Sequence, residues 1–205
     1  MEMREAVIVA AVRTPIGKAK RGGLATVRAD EMAAIVIKEL LKRTPKLDPA
    51  EIDDVILGCA FPEGEQGMNM ARLTALSAGL PYTVPAETIN RFCSSGVQSV
   101  AHAAQAIMSG QIDVAIAGGA ESMTQVPMTG YKFAPNLTQA TNNPEAFTNM
   151  GLTSENVAEK YNITRADQDA FAVKSNQKAA KAVDSGLFDA EIVPVDVEVV
   201  EVGPD

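Results

Sequence analysis

The segment Glu87-Thr88-Ile89-Asn90-Arg91-Phe92-Cys93-Ser94-Ser95-Gly96-Val97-Gln98 decides how the rest of the chain is read. Its front, Glu87 to Asn90, has the character of a short strand. Its back opens a helix of small residues from about Ser95 to Met108, closed by Gly110. A strand passing directly into a helix is the first half of a crossover unit, and the same alternation recurs on both sides of it. Upstream, Val55-Ile56-Leu57-Gly58 is a short apolar run of the kind that a buried strand requires; downstream, Val114-Ala115-Ile116-Ala117 is another. Ala6-Val7-Ile8-Val9-Ala10 reads as a buried first strand, followed by a glycine-rich loop from Gly17 to Gly23. Asp30 is expected to cap a helix that carries Ile35, Val36, Leu40 and Leu41 and stops near Pro45. Asn69 through Ala78 reads as a short helix ended by Gly79 and Pro81.

Strands alternating with helices predict an α/β fold: a mainly parallel sheet, right-handed crossovers and helices on both faces. Sites in such sheets collect beyond the carboxyl ends of the strands. Cys59, Cys93 and Glu121 each follow a strand and are expected along that one rim. From Ser122 the pattern changes. Pro127, Gly130, Pro135 and Pro144 interrupt a polar stretch without a clear period. A short helix is expected over Ser154 to Lys160. A longer one opens on the capping signature Thr164-Arg165-Ala166-Asp167 and runs to Gly186. Glu191 to Val202 alternates like a half-exposed strand. The expected division is 1–121, an α/β domain, and 122–205, a mostly helical second part.

Composition narrows the function classes. Of 205 residues, 46% are hydrophobic, ample for one core, while aromatics are 4% and Trp is absent, which leaves little to stack on bases. A net charge of -8 opposes a phosphate backbone in the same way, so no nucleic-acid partner is expected. The apolar run from Ala6 to Val12 falls far short of the ~20 residues that span a bilayer, and no membrane association is expected. The only cysteines are Cys59 and Cys93 and the only histidine is His102, with no ligand spacing, so no metal site is expected. Reduced thiols in the cytoplasm are the better expectation.

Cys93 stands where a strand gives way to a helix, among Ser94, Ser95 and Gly96. Unpaired backbone amides at a helix start favour a thiolate and can also hold an oxyanion. A helix terminus contributes only ~0.3–1 kcal/mol, ~2 at best, so it activates partially and fast chemistry needs a base. His102 is not that base. Nine positions on, it lies roughly 13 Å further along the helix at ~1.5 Å per residue, on the opposite side. Spacing alone leaves two readings of Cys93 open, a nucleophile or an inert buried thiol. Cys59, without polar neighbours, reads as structural. Glu121 reads first as a residue that holds loops and second as a member of the site.

The motifs are more specific than the periodicity. Asn90-Arg91-Phe92-Cys93-Ser94-Ser95-Gly96-Val97-Gln98 resembles the nucleophile segment of the thiolases. So do Val12-Arg13-Thr14-Pro15-Ile16-Gly17, Gly118-Gly119-Ala120-Glu121-Ser122-Met123 and Met150-Gly151-Leu152-Thr153-Ser154-Glu155-Asn156-Val157. Asp167-Gln168-Asp169-Ala170-Phe171-Ala172 and Glu191-Ile192-Val193-Pro194-Val195 extend the match over essentially the whole chain. The Arg-Phe-Cys-Ser-Ser form is more like the degradative 3-ketoacyl-CoA thiolases than the acetoacetyl-CoA type.

The resemblance implies a thiolase-like fold with an inserted α-rich loop domain, residues 122–205, that receives coenzyme A. It implies thiolysis of a 3-ketoacyl-CoA in fatty acid β-oxidation, through an acyl thioester on Cys93. Coenzyme A would be the co-substrate and no cofactor would be covalently bound. Met150 matches a residue lining the pocket near the pantetheine end. The neighbouring Asn149 stands where the family often has histidine, so a substrate contact there departs from the pattern. Assembly as a homodimer or homotetramer is implied as well. The family's activating histidine, second catalytic cysteine and Asn-Glu-Ala segment belong to a C-terminal half whose motifs this sequence does not contain. The expectation is therefore a truncated chain, inactive alone, with the first domain's last strand beyond Asp205. The alternatives are a biosynthetic acetoacetyl-CoA thiolase, a ketoacyl-synthase-like condensing enzyme, or a non-catalytic assembly module.

Overall fold

The computed structural model describes residues 4–198. The chain divides into two compact units: residues up to Lys132 together with those from Glu191 onward, and Phe133–Ala190.

The first unit is built on β1 (Asp54–Gly58), β2 (Ala86–Ile89) and β3 (Ala115–Gly119), parallel in the order β2-β1-β3. Three helices cover the sheet: α1 (Ala29–Arg43), α2 (Met70–Ser77) and α3 (Ser95–Met108). Successive side chains of a strand point to opposite faces, and the central strand follows that rule closely. Val55 and Leu57, with Cys59 just beyond, enter a core of Ala29, Ala33, Ile37, Met70, Ala71 and Ala75 contributed by α1 and α2. The other face meets α3, where Gly58 lies against Ser95. Central β1 is therefore buried on both sides, as its unbroken apolar run requires.

Local chemistry sets the helix boundaries, and here one expectation is corrected. Arg28, with extended backbone, is the N-cap of α1, whereas Asp30 already lies inside the first turn. There its carboxylate meets the positive end of the helix and pairs with Arg28 at 2.9 Å. The helix expected from Asn69 is α2, with Asn69 as its cap, the side chain accepting from the Arg72 amide at 3.2 Å. Gly79, at φ +88°, turns the chain out of that helix.

The first expected strand is not one. Val7, Ile8 and Val9 are 71%, 78% and 81% exposed, and no strand among the described residues pairs with them. A strand exists only by hydrogen bonding to a neighbour, and here an apolar run has none to lie against. The expected strand from Glu191 is likewise reduced to one bridge, Ile192 to Arg13. It is closed by Arg13 N–H to Glu191 O and Val193 N–H to Arg13 O, both 2.8 Å. Residues 199–202 of that expectation lie outside the described residues.

The second unit contains α4 (Leu137–Asn142), α5 (Met150–Lys160) and α6 (Arg165–Asp184), none with a fully buried residue. The polar stretch thus includes a helix, α4, that its lack of period hid. α5 starts at Met150 and not Ser154 because Asn149 caps it. α6 opens as expected on a reciprocal box, with Asp167 N–H donating to Thr164 Oγ1 at 3.2 Å and Thr164 N–H to Asp167 Oδ2 at 3.1 Å. Among the described residues no helix is long and apolar enough to cross a membrane.

Candidate active site

The carboxyl ends of the three strands form one rim, tied by backbone bonds. Cys59 N–H donates to Ile89 O at 3.0 Å and Ala120 N–H to Gly58 O at 3.1 Å. Two thiols border this rim in opposite surroundings. Cys59 is 1% exposed. Burial pushes its thiol up to about 12, with the Glu121 carboxylate, 3.7 Å from Sγ, adding to the shift. A thiol so held stays protonated and is no nucleophile at neutral pH. Cys93 is free and exposed.

The turn that presents Cys93 is held from within. Phe92 has φ +45°, a left-handed conformation that costs a bulky residue about 1–3 kcal/mol unless its surroundings hold it. Ser95 does part of the holding. Its buried hydroxyl accepts the Arg91 N–H at 2.8 Å and donates to Phe92 O at 2.6 Å. Ser94 Oγ donates to Arg91 O at 3.1 Å and gives the helix no side-chain cap. The Ser94 and Ser95 amides are spent in the turn, on Arg91 O at 3.2 Å and Phe92 O at 3.0 Å. That narrows the expected set of free donors: the first-turn amides beyond them, at Gly96 and Val97, are the ones a helix start leaves without intrahelical acceptors. Gly58 makes the close approach of α3 feasible, since a Cβ there would stand 2.4 Å from the Ser95 carbonyl carbon. Phe92 itself is exposed, its ring 6.0 Å from that of Phe61.

Glu121 follows β3 and binds loops, as its first reading had it. Its Oε2 accepts the Ala60 N–H and its Oε1 accepts from Gln66 Nε2, both at 2.6 Å. Gln66, fully buried, also donates to Phe61 O at 3.0 Å and accepts the Ser122 N–H. Sequence reasoning assigned Gln66, Asn90 and Ser95 no role, though Asn90 and Ser95 sit in the decisive segment. Short polar residues flanking a strand-to-helix junction are the signal that identifies them as turn holders. Gln66 gave no such signal, because its partners lie far along the chain.

His102 lines a shallow groove with Asp54 and Glu87, which begin or flank the amino ends of β1 and β2. Cys93 follows the opposite, carboxyl end of β2, so the one histidine is not in its turn. Asn149 and Met150 lie in the second unit. The Asn149 side chain accepts the Leu152 N–H at 2.9 Å as the cap of α5, and Met150 beside it is 73% exposed.

The family model described as the thiolase N-terminal domain matches residues 6–202. A 3-ketoacyl-CoA thiolase of Bacillus subtilis (strain 168) is 60% identical over 203 residues, covering 99% of this chain and 52% of that protein. A 3-oxoadipyl-CoA/3-oxo-5,6-dehydrosuberyl-CoA thiolase of Escherichia coli (strain K12) is 46% identical, covering 94% and 52%. The crystal structure of the Bacillus anthracis acetyl-CoA acetyltransferase superposes with a TM-score of 0.83 at 38% identity, covering 97% of this chain and 52% of that one. The chain spans about half the length of the curated relatives it matches.

Proposed function

The chain belongs to the thiolase family, and we propose that Cys93 is the sulfur on which it carries an acyl group during thiolysis of a 3-ketoacyl-CoA. One observation carries the proposal: of two thiols at the same rim, Cys93 is exposed on a strained strand-to-helix turn while Cys59 is buried and held protonated. The 60% identity to a relative named 3-ketoacyl-CoA thiolase supports the substrate class.

In this reading the Cys93 thiolate adds to the C3 carbonyl carbon. The resulting oxyanion collapses, the C2–C3 bond breaks, and its electron pair leaves as the enolate of acetyl-CoA, which takes up a proton. The shortened acyl group remains on Sγ as a thioester. The thiol of coenzyme A then attacks it, loses its proton to a base, and departs as the shortened acyl-CoA while the cysteine thiolate is regenerated. Coenzyme A is a co-substrate, and no bound cofactor is needed. The chain offers the nucleophile and helix-start amides; such donors are worth about 10²–10³ in rate each. The base and the acid, worth about 10²–10⁴, come from residues outside this chain, because its single histidine is at the other end of the sheet. Residues 1–121 act as the first catalytic domain and 122–205 as part of the loop domain. Met150 and Asn149 are its substrate-binding residues in this reading, with the Asn149 amide nitrogen available as a donor, since its oxygen serves the α5 cap. The reading extends to a cytoplasmic homodimer or homotetramer serving fatty acid β-oxidation.

The test is thiolytic turnover of a medium-chain 3-ketoacyl-CoA, with acetoacetyl-CoA as comparison. The chain alone should be nearly inactive, and the chain combined with a thiolase C-terminal half should turn over. Cys93→Ala should lower that turnover at least about a thousandfold. Turnover that survives Cys93→Ala refutes the assignment, and a preference for acetoacetyl-CoA replaces the substrate class with the biosynthetic one.

A further inference from the structure

We propose that Asn90 is a positioning residue for Cys93, bearing on a residue, Ala60, whose amide Glu121 holds in place; this rests on the reading of Cys93 as the nucleophile. Asn90 is the first residue after β2. Its Nδ2 donates to Ala60 O at 2.9 Å, and its Oδ1 accepts the Phe92 N–H at 2.8 Å. Ala60 is itself fixed from the other side, its N–H donating to Glu121 Oε2 at 2.6 Å. The second oxygen of Glu121 takes Gln66 Nε2 at 2.6 Å, and Gln66 Oε1 returns to the Ser122 N–H.

One chain of bonds therefore runs across the ends of all three strands. It starts at Glu121 after β3, passes through the two peptide groups that flank the Ala60 Cα after β1, and reaches Asn90 after β2. It ends on the amide of Phe92, the residue before Cys93. The link from the Ala60 N–H to the carboxylate is charge-assisted, roughly twice as strong as a neutral bond, and it fixes the residue whose carbonyl Asn90 grips.

The residue type is what this junction needs. One short side chain must donate to a carbonyl and accept from an N–H at once, which an amide does and a carboxylate or an alkyl group cannot. The need is set by Phe92, whose left-handed backbone at φ +45° persists only if held from more than one side. Ser95 holds its carbonyl and Asn90 holds its N–H. With both in place, Sγ of Cys93 has a fixed direction relative to the first turn of α3. Without Asn90 the sulfur stays exposed but loses that direction.

Two reactions of the same chain separate direction from exposure. Alkylation by iodoacetamide needs only an accessible thiolate. Acetyl transfer from S-phenyl thioacetate forms an Sγ–acetyl bond, breaks the bond to thiophenolate and leaves the cysteine proton with solvent. It passes through an oxyanion that must form beside the amide donors. Peptide mapping by mass spectrometry follows both at Cys93. Asn90→Ala should slow acetyl transfer about tenfold or more, while alkylation stays within about twofold. Asn90→Asp, which keeps the acceptor for the Phe92 N–H, should recover part of the loss. It also carries the test if circular dichroism shows Asn90→Ala to be unfolded. Acetyl transfer that is unchanged in the variants, or that falls in step with alkylation, overturns the positioning role. If the unsubstituted chain is acetylated at some residue other than Cys93, the nucleophile reading itself fails, whatever the variants do.

Discussion

Cys59 and Cys93 each follow a strand of one sheet, and the difference between them is made by a few neighbours. Cys59 faces the α1–α2 core and the Glu121 carboxylate; Cys93 faces solvent beside a helix start. The Cys59 environment has a consequence for stability. Its thiol is raised from an ordinary 9.0 to about 12, so between these values the unfolded chain gives up the proton while the folded chain keeps it. Stability that is intact below pH 9 is therefore lost as pH rises toward 12. Urea unfolding at a series of pH values from 7 to 11 should show the chain weakening above pH 9 more steeply than Cys59→Ala. Parallel curves would mean that the thiol is not held protonated. The sequence set these cysteines apart by their polar neighbours, and the structure buries one and exposes the other. It could not reveal Gln66 and Glu121 as partners 55 positions apart, because nothing local marks a side chain whose partner arrives through the fold.

Gly58 shows how an element's path depends on a missing side chain. The close contact of β1 with the start of α3 leaves no room for a methyl group, and the obstruction is Ser95 backbone, which cannot swing aside. Gly58→Ala should cost about 1–3 kcal/mol in urea unfolding and slow acetyl transfer to Cys93, since the helix must back away from the strand. Unchanged stability would mean that the contact is looser than drawn.

Elements packed inside the chain were legible, as β1, β2, β3 and α3 stand close to where periodicity put them, and α6 was legible from its capping box alone. Misplaced elements have specific causes. Ala6 to Ala10 has a strand's composition without a strand partner. The α1 cap went to Arg28 because backbone conformation, and not side-chain preference, decided it. The start of α5, expected at Ser154, lies at Met150 because the Asn149 side chain caps the helix one turn earlier.

At the scale of the molecule, the chain carries the rim that holds Cys93, and it also leaves an apolar segment, Val7 to Val9, in solvent. At the rim, the ends of the three strands are joined through Glu121, Ala60 and Asn90 by an unbroken run of hydrogen bonds. A base and an acid are what the proposed reaction still requires, and the family's relatives are about twice this chain's length. The most direct measurement is a mass map of the chain combined with a thiolase C-terminal half, quenched in acid during turnover of a 3-ketoacyl-CoA. The account predicts the shortened acyl group, as a thioester, on the peptide containing Cys93 and on no other. An acyl group on Cys59 or elsewhere, or undiminished turnover with no adduct on Cys93, would contradict it.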